Sequence, residues 1–171
     1  MTTESFQKDV LPLKHPIFRY ALYMMKNKDD AQDVTQEVLI KIWEKREELY
    51  QVKNLRAWAM TITRNKCLDL LKSTKGDFYS LEENLDAAQT VSPYEKMQAL
   101  DESNLIKDLL EKLPSMQKEV FYLRHFEEDS YKEIGDTLNI DENKVKVYLH
   151  RARTFIKKSL EEKHNYGLKT G

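Results

Sequence analysis

A chain of 171 residues with 40% hydrophobic content can bury one core or two small ones, and 28 basic against 29 acidic residues leave a net charge of -1. With 33% charged residues and only 4 Gly and 4 Pro, the composition favours helices and leaves few turn residues for hairpins, so an all-α fold is expected. The opening MTTESFQKDV lacks the apolar core of a signal peptide and no apolar run has the length of a membrane span, which points to a cytoplasmic chain; lone Cys67 and scattered His15, His125, His150 and His164 give no disulfide, metal or other cofactor site.

From the N-terminus, apolar residues at three- and four-residue steps predict helices over about 8 to 26, about 30 to 48 and about 55 to 72. The second, DDAQDVTQEVLIKIWEKREEL, has a core face of Ala31, Val34, Thr35, Val38 and Ile42. Gln32, Asp33, Gln36, Glu37, Ile40, Trp43 and Glu44 project from the other half. Carboxylates framing an Ile and a Trp fit a protein interface, where an aromatic anchor gives affinity and charge selects the partner. The competing reading folds Trp43 into its own bundle and leaves the carboxylates solvated.

The loop EELYQVKN, with Tyr50, precedes a third helix of basic character, NLRAWAMTITRNKCLDLLKS. Lys53, Arg56, Arg64, Lys66 and Lys72 stand there against Asp69 alone, with Leu55, Trp58, Ala59, Ile62 and Leu70 as its inner side. A nucleic-acid contact fits this helix, and an aromatic in the loop beside it can stack an unpaired base. Residues 73 to 104 then hold 2 basic and 7 acidic residues, with no sustained apolar period before Pro93. The stretch 76–97 reads as a flexible acidic linker, either a plain tether or an element whose acidity has its own role. It joins two small helical bundles, 1–75 and 98–171.

In the second bundle, Ser92-Pro93-Tyr94-Glu95 has capping-box spacing for a helix start, and Pro114 opens another over SMQKEVFYLRHF. Ser130 and Glu133 repeat the capping-box spacing before a short helix to about Leu138, and Asp141 caps the last long helix after an Asn139-Ile140 turn. That last helix carries Val145, Leu149, Ala152, Ile156 and Leu160 as one apolar stripe, while 142 to 158 hold one acidic residue against six basic ones. A short capped helix, a tight turn and a longer basic helix form a helix-turn-helix, whose second helix enters the DNA major groove. Asn143, Lys144, Val147 and Arg151 can then reach base edges, His150 lies on the same side, and Lys146, Arg153, Lys157 and Lys158 fall along the flanks, suited to phosphates. Basic residues on a solvated amphipathic helix are the plainer alternative.

These stretches together resemble a sigma factor of the extracytoplasmic-function group of the sigma-70 family. DAQDVTQEVLIKIW is similar to the family's region 2 signature, NLRAWAMTITRNKCLDLL to its next helix, and LPSMQKEVFYLRHFEEDSYKEIGDTLNIDENKVKVYLHRAR to its region 4. The resemblance implies a non-enzymatic subunit that binds core RNA polymerase and directs it to promoters. It implies docking on polymerase through Gln32, Asp33, Gln36, Glu37, Leu39, Ile40 and Trp43. It places the melted minus-ten strand against Tyr50, Lys53, Asn54, Arg56, Arg64, Asn65 and Lys66. The minus-thirty-five element, as double-stranded promoter DNA, falls to Asn143, Lys144, Lys146, Val147, His150, Arg151, Arg153 and Lys157. The linker would run along the RNA exit path, an anti-sigma protein would be a partner, and no small-molecule substrate is implied. Asn139 replaces the family's usual turn glycine, which Asn tolerates because it enters left-handed backbone conformations, and Tyr148 replaces a frequent Arg. A free-standing helix-turn-helix regulator, binding DNA without polymerase, is the alternative function. No nucleophile with a base and no phosphate-binding Gly loop supports an enzyme.

Overall fold

The computed structural model describes residues 2–74 and 101–169, and among these it contains helices and turns but no strand. The chain divides into two compact units, Met1–Lys96 and Met97–Gly171. The linker expected at 76–97 and the helix start expected at Ser92-Pro93 lie outside the described residues.

The first unit opens with α1 (Thr3–Asp9), a 3-10 turn at Leu11–Leu13 and α2 (Lys14–Met25). The single helix expected over 8 to 26 is therefore broken. Pro12 has no N–H to donate and its ring crowds the carbonyl four residues back, so a continuous helix cannot pass it. Pro16 sits harmlessly in the first turn of α2. Lys26 ends α2 in the left-handed region at φ 55°, its N–H bonded to the Leu22 carbonyl at 2.9 Å. Asn27 then caps α3 (Lys28–Glu44), its Oδ1 accepting from the Asp30 N–H at 3.0 Å. α3 stops four residues before the expected 48, because the EKREE stretch from Glu44 offers no apolar residue to bury; the Arg46 guanidinium bonds the Trp43 carbonyl at 3.0 Å and closes the end. α4 spans Leu55–Thr74.

The face of α3 read as core, Ala31, Val34, Thr35, Val38 and Ile42, is buried in full. It packs with Ile17, Ala21, Ala59 and Cys67 in one cluster. For α4 the expectation holds in part. Ala59 is buried and Leu55, Trp58, Ile62 and Leu70 pack half-buried against the same core, but the fully buried row also takes in Ala57, Met60, Thr63 and Cys67, which the expected inner side leaves out. The row Ala59, Thr63, Cys67 recurs every four residues, and its small side chains let the helix axes approach closely. The buried hydroxyls are satisfied within their own helices: Thr63 Oγ1 donates to the Ala59 carbonyl at 2.8 Å and Thr35 Oγ1 to that of Ala31 at 2.7 Å.

The second unit contains α5 (Asp101–Glu111), α6 (Ser115–His125), α7 (Tyr131–Leu138) and α8 (Glu142–Lys169). Val145, Leu149, Ala152 and Ile156 of α8 are buried as the stripe requires, and Leu160 packs partly buried against the same cluster. Leu109, Leu110, Leu113, Val120, Leu123, Ile134 and Leu138 complete the core. Between α6 and α7 lie two buried acidic residues: the Glu127 carboxylate accepts from the Tyr122 hydroxyl at 2.9 Å, and the backbone carbonyl of Asp129 accepts from the Arg124 guanidinium at 2.9 Å.

Candidate nucleic-acid and protein interfaces

The pair α7–α8 is fixed by its ends. At the start of α7, Ser130 Oγ accepts from the Glu133 N–H at 3.1 Å while Glu133 Oε2 accepts from the Ser130 N–H at 2.8 Å, a complete capping box. At its C-terminus Asn139 adopts φ 55° and ψ 50°, the left-handed conformation expected for it. The Ile140 N–H then reaches the Gly135 carbonyl at 3.0 Å. Asp141 Oδ1 accepts from the Lys144 N–H at 2.9 Å and starts α8.

Gly135 was missed in the sequence. A Cβ there would lie 2.7 Å from the Ile140 carbonyl oxygen, so the turn closes over a position that only hydrogen can occupy. The signal that could have revealed it is a lone glycine in an apolar-periodic helix, one turn before an Asn.

Every residue assigned to the minus-thirty-five element is exposed: Asn143, Lys144, Lys146, Val147, His150, Arg151, Arg153 and Lys157. Arg153 differs from the others because its Nε donates to His125 Nε2 at 3.1 Å. The His125 ring lies 4.2 Å from that of Phe121. Burial, with Arg153 and Arg124 nearby, holds the imidazole below its usual pKa and keeps it neutral, which suits it as acceptor. Arg153 is thus steered by α6. Tyr148 is half-buried rather than presented to solvent.

On α3, Gln32, Asp33, Gln36, Glu37 and Ile40 are exposed, with Ile40 56% accessible. Leu39 and Trp43, assigned to the same polymerase surface, are half-buried and pack against the first core. The Trp43 ring meets Phe6 edge-on, centroids 4.8 Å apart at 88°, and carries the Arg46 guanidinium 4.5 Å from its centroid. The outward anchor of this face is accordingly Ile40, while Trp43 is in large part a core residue.

The minus-ten candidates gather at the start and along the side of α4. Tyr50 is 82% exposed in a 3-10 turn at Leu49–Gln51, its phenol oxygen accepting from Gln51 Nε2 at 2.7 Å. Lys53 and Asn65 are exposed, and Arg56 and Arg64 are half-buried. Two assignments meet competing uses. Asn54 Oδ1 caps α4 by accepting from the Ala57 N–H at 2.9 Å, and Lys66 forms an ion pair with Glu37, itself one of the residues expected to face polymerase. Sequence periodicity could not show that pair, since it joins two helices.

No helix among the described residues is long and apolar enough to cross a membrane. Residues 10–76 match the Sigma-70 region 2 family and residues 103–156 match Sigma-70, region 4. The chain is 28% identical over 164 residues to the ECF RNA polymerase sigma factor SigW of Bacillus subtilis, covering 87% of this chain and 85% of that protein. It is 31% identical over 150 residues to the ECF RNA polymerase sigma factor SigL of Mycobacterium tuberculosis, covering 85% and 83%. Its fold is similar to that of the sigma factor RpoE of Bartonella quintana in complex with the anti-sigma factor NepR, with a TM-score of 0.68 at 23% identity over 93% of this chain and 98% of that one. CnrH in complex with the cytosolic domain of CnrY gives a TM-score of 0.68 at 20% identity, over 94% and 90%. Matching both family segments in order, and 31% identical to a relative along most of both chains, this protein belongs to the extracytoplasmic-function (ECF) RNA polymerase sigma factors of the sigma-70 family.

Proposed function

We propose that this sigma factor docks on core RNA polymerase through the exposed face of α3 and holds promoter DNA with α4 and α8. In this reading residues 1–75 are region 2, 76–97 the linker and 98–171 region 4. Gln32, Asp33, Gln36, Glu37 and Ile40 contact polymerase, with Leu39 and the exposed part of Trp43 at the margin. Tyr50 and Lys53 meet the melted minus-ten strand, supported by Arg56, Arg64, Asn65 and Lys66, while Asn54 holds the start of α4. Asn143, Lys144, Val147 and Arg151 face base edges of the minus-thirty-five element, with His150 on the same side, and Lys146, Arg153 and Lys157 face its phosphates. The observation that carries the reading is the presentation of α8: its whole basic side is exposed, and its first turn is fixed by Gly135, Asn139 and Asp141.

Sigma factors are non-enzymatic initiation factors, so the chain works as an adaptor in the cytoplasm, where its polymerase acts. That RpoE was solved in complex with the anti-sigma factor NepR supports an anti-sigma protein as a partner here as well. In vitro transcription with core enzyme, followed by start-site mapping, tests the assignment. Specific initiation is expected only when both proteins are present. Tight operator binding by the chain alone, without specific initiation, identifies a free-standing regulator instead. The double variant Gln36→Ala with Glu37→Ala is expected to co-purify less core enzyme; an undiminished yield places the polymerase surface elsewhere.

A further inference from the structure

Val147 has no task in the core. The buried row of α8 is Val145, Leu149 and Ala152, at 0%, 1% and 0% exposure, and Val147 stands about 200° around the helix from Val145. It is 46% exposed. A single apolar residue on a surface ordinarily needs no explanation. Here its position supplies one. It lies in the second turn of the second helix of a helix-turn-helix, with exposed Asn143 four residues before it and exposed Arg151 four residues after it. Its isopropyl group is the apolar element of an otherwise polar line.

We propose that Val147 reads a thymine by packing against its 5-methyl group in the major groove, between contacts made by Asn143 and Arg151. This rests on the reading of α8 as the groove-facing helix. An isopropyl group has no donor or acceptor to offer a phosphate. Set against the major-groove edge of guanine, adenine or cytosine, it strips water from polar atoms without replacing their hydrogen bonds. Thymine is the one base whose edge presents a methyl group. Asn143 carries the amide that pairs bidentately with adenine, and Arg151 the guanidinium that pairs with guanine, so the line can read different bases by different chemistry.

The test uses holoenzyme assembled with core polymerase on a promoter found by start-site mapping. Each thymine of the upstream element, on both strands, is replaced singly by deoxyuridine, which deletes only the methyl group. One position is expected at which this weakens wild-type binding by about fourfold, the value of burying one methyl-sized group. Val147→Ala loses a similar factor on the natural promoter and becomes indifferent to uridine at that position. Val147→Thr, which keeps one methyl, retains part of the discrimination. The proposal is overturned if uridine is neutral everywhere, or if its penalty persists undiminished in Val147→Ala. Scrambling the whole upstream element separates the two levels. If scrambling has no effect, α8 does not read DNA; if scrambling weakens binding while uridine is neutral, only the Val147 assignment fails.

Discussion

The outward faces of α3–α4 and of α8 hold similar side chains under different conditions. In the first unit several candidate groups are already engaged: Lys66 with Glu37, Asn54 with the start of its own helix, Trp43 with Phe6 and Arg46. On α8 only Arg153 is engaged with a neighbouring helix, through His125, and the rest of the face makes no such contact among the described residues. One surface spends several of its candidate groups on holding the bundle together. The other keeps nearly all of them at the surface and leaves the holding to the turn and cap at Gly135, Asn139 and Asp141. Exposure alone therefore does not measure readiness to bind; what a group must give up first matters as much.

The strongest way to break this contrast is Gly135→Ala. The added methyl meets a backbone carbonyl that cannot swing aside, so the second unit is expected to lose ~1–3 kcal/mol and the minus-thirty-five contacts to lose their alignment. Thermal melting and promoter-specific transcription read the two effects, and a variant indistinguishable from the parent in both would mean that the turn is not pinned as described. Next in size are the caps. Asp141→Ala and Asn54→Ala should each cost about 1 kcal/mol. They differ in where the loss is read: Asp141→Ala in upstream-element binding, Asn54→Ala in strand opening followed by permanganate reactivity of unpaired thymines. Matching defects in both assays would erase the distinction between the helices. The smallest effect concerns charge. On a heparin column, Lys157→Ala should elute at lower salt, whereas Lys66→Ala should shift less, because Glu37 already neutralises that ammonium. Equal shifts would show that the ion pair leaves Lys66 fully available.

Much of the second unit was legible in the sequence because its instructions are local. Ser130, Glu133, Asn139 and Asp141 act within three or four residues of themselves, so spacing alone located the turn and both helix starts. The core face of α3 was legible for the same reason, since Ala31, Val34, Val38 and Ile42 follow one helical period. The inner face of α4 was legible only in part. Trp58, Ile62 and Leu70 do pack against the core, but the most deeply buried positions, Ala57, Ala59, Met60, Thr63 and Cys67, are mostly small or polar and give no apolar period to read. The break at Pro12 was masked by apolar residues that continue the period across it. Contacts between helices, such as Lys66 with Glu37 or Arg153 with His125, lie beyond any periodicity. They altered the candidate sites more than any error in helix boundaries.

The inward row of α4 also has an experimental consequence. Cys67 is the only sulfhydryl in the chain and is fully shielded at 0% exposure. A thiol reagent can reach it only when the N-terminal bundle opens, so labelling rates would time the breathing of that bundle alone, with the DNA-reading half silent in the same tube. Adding core polymerase or a regulator and watching the rate fall would then show which half each partner grips, with no dye or mutation introduced.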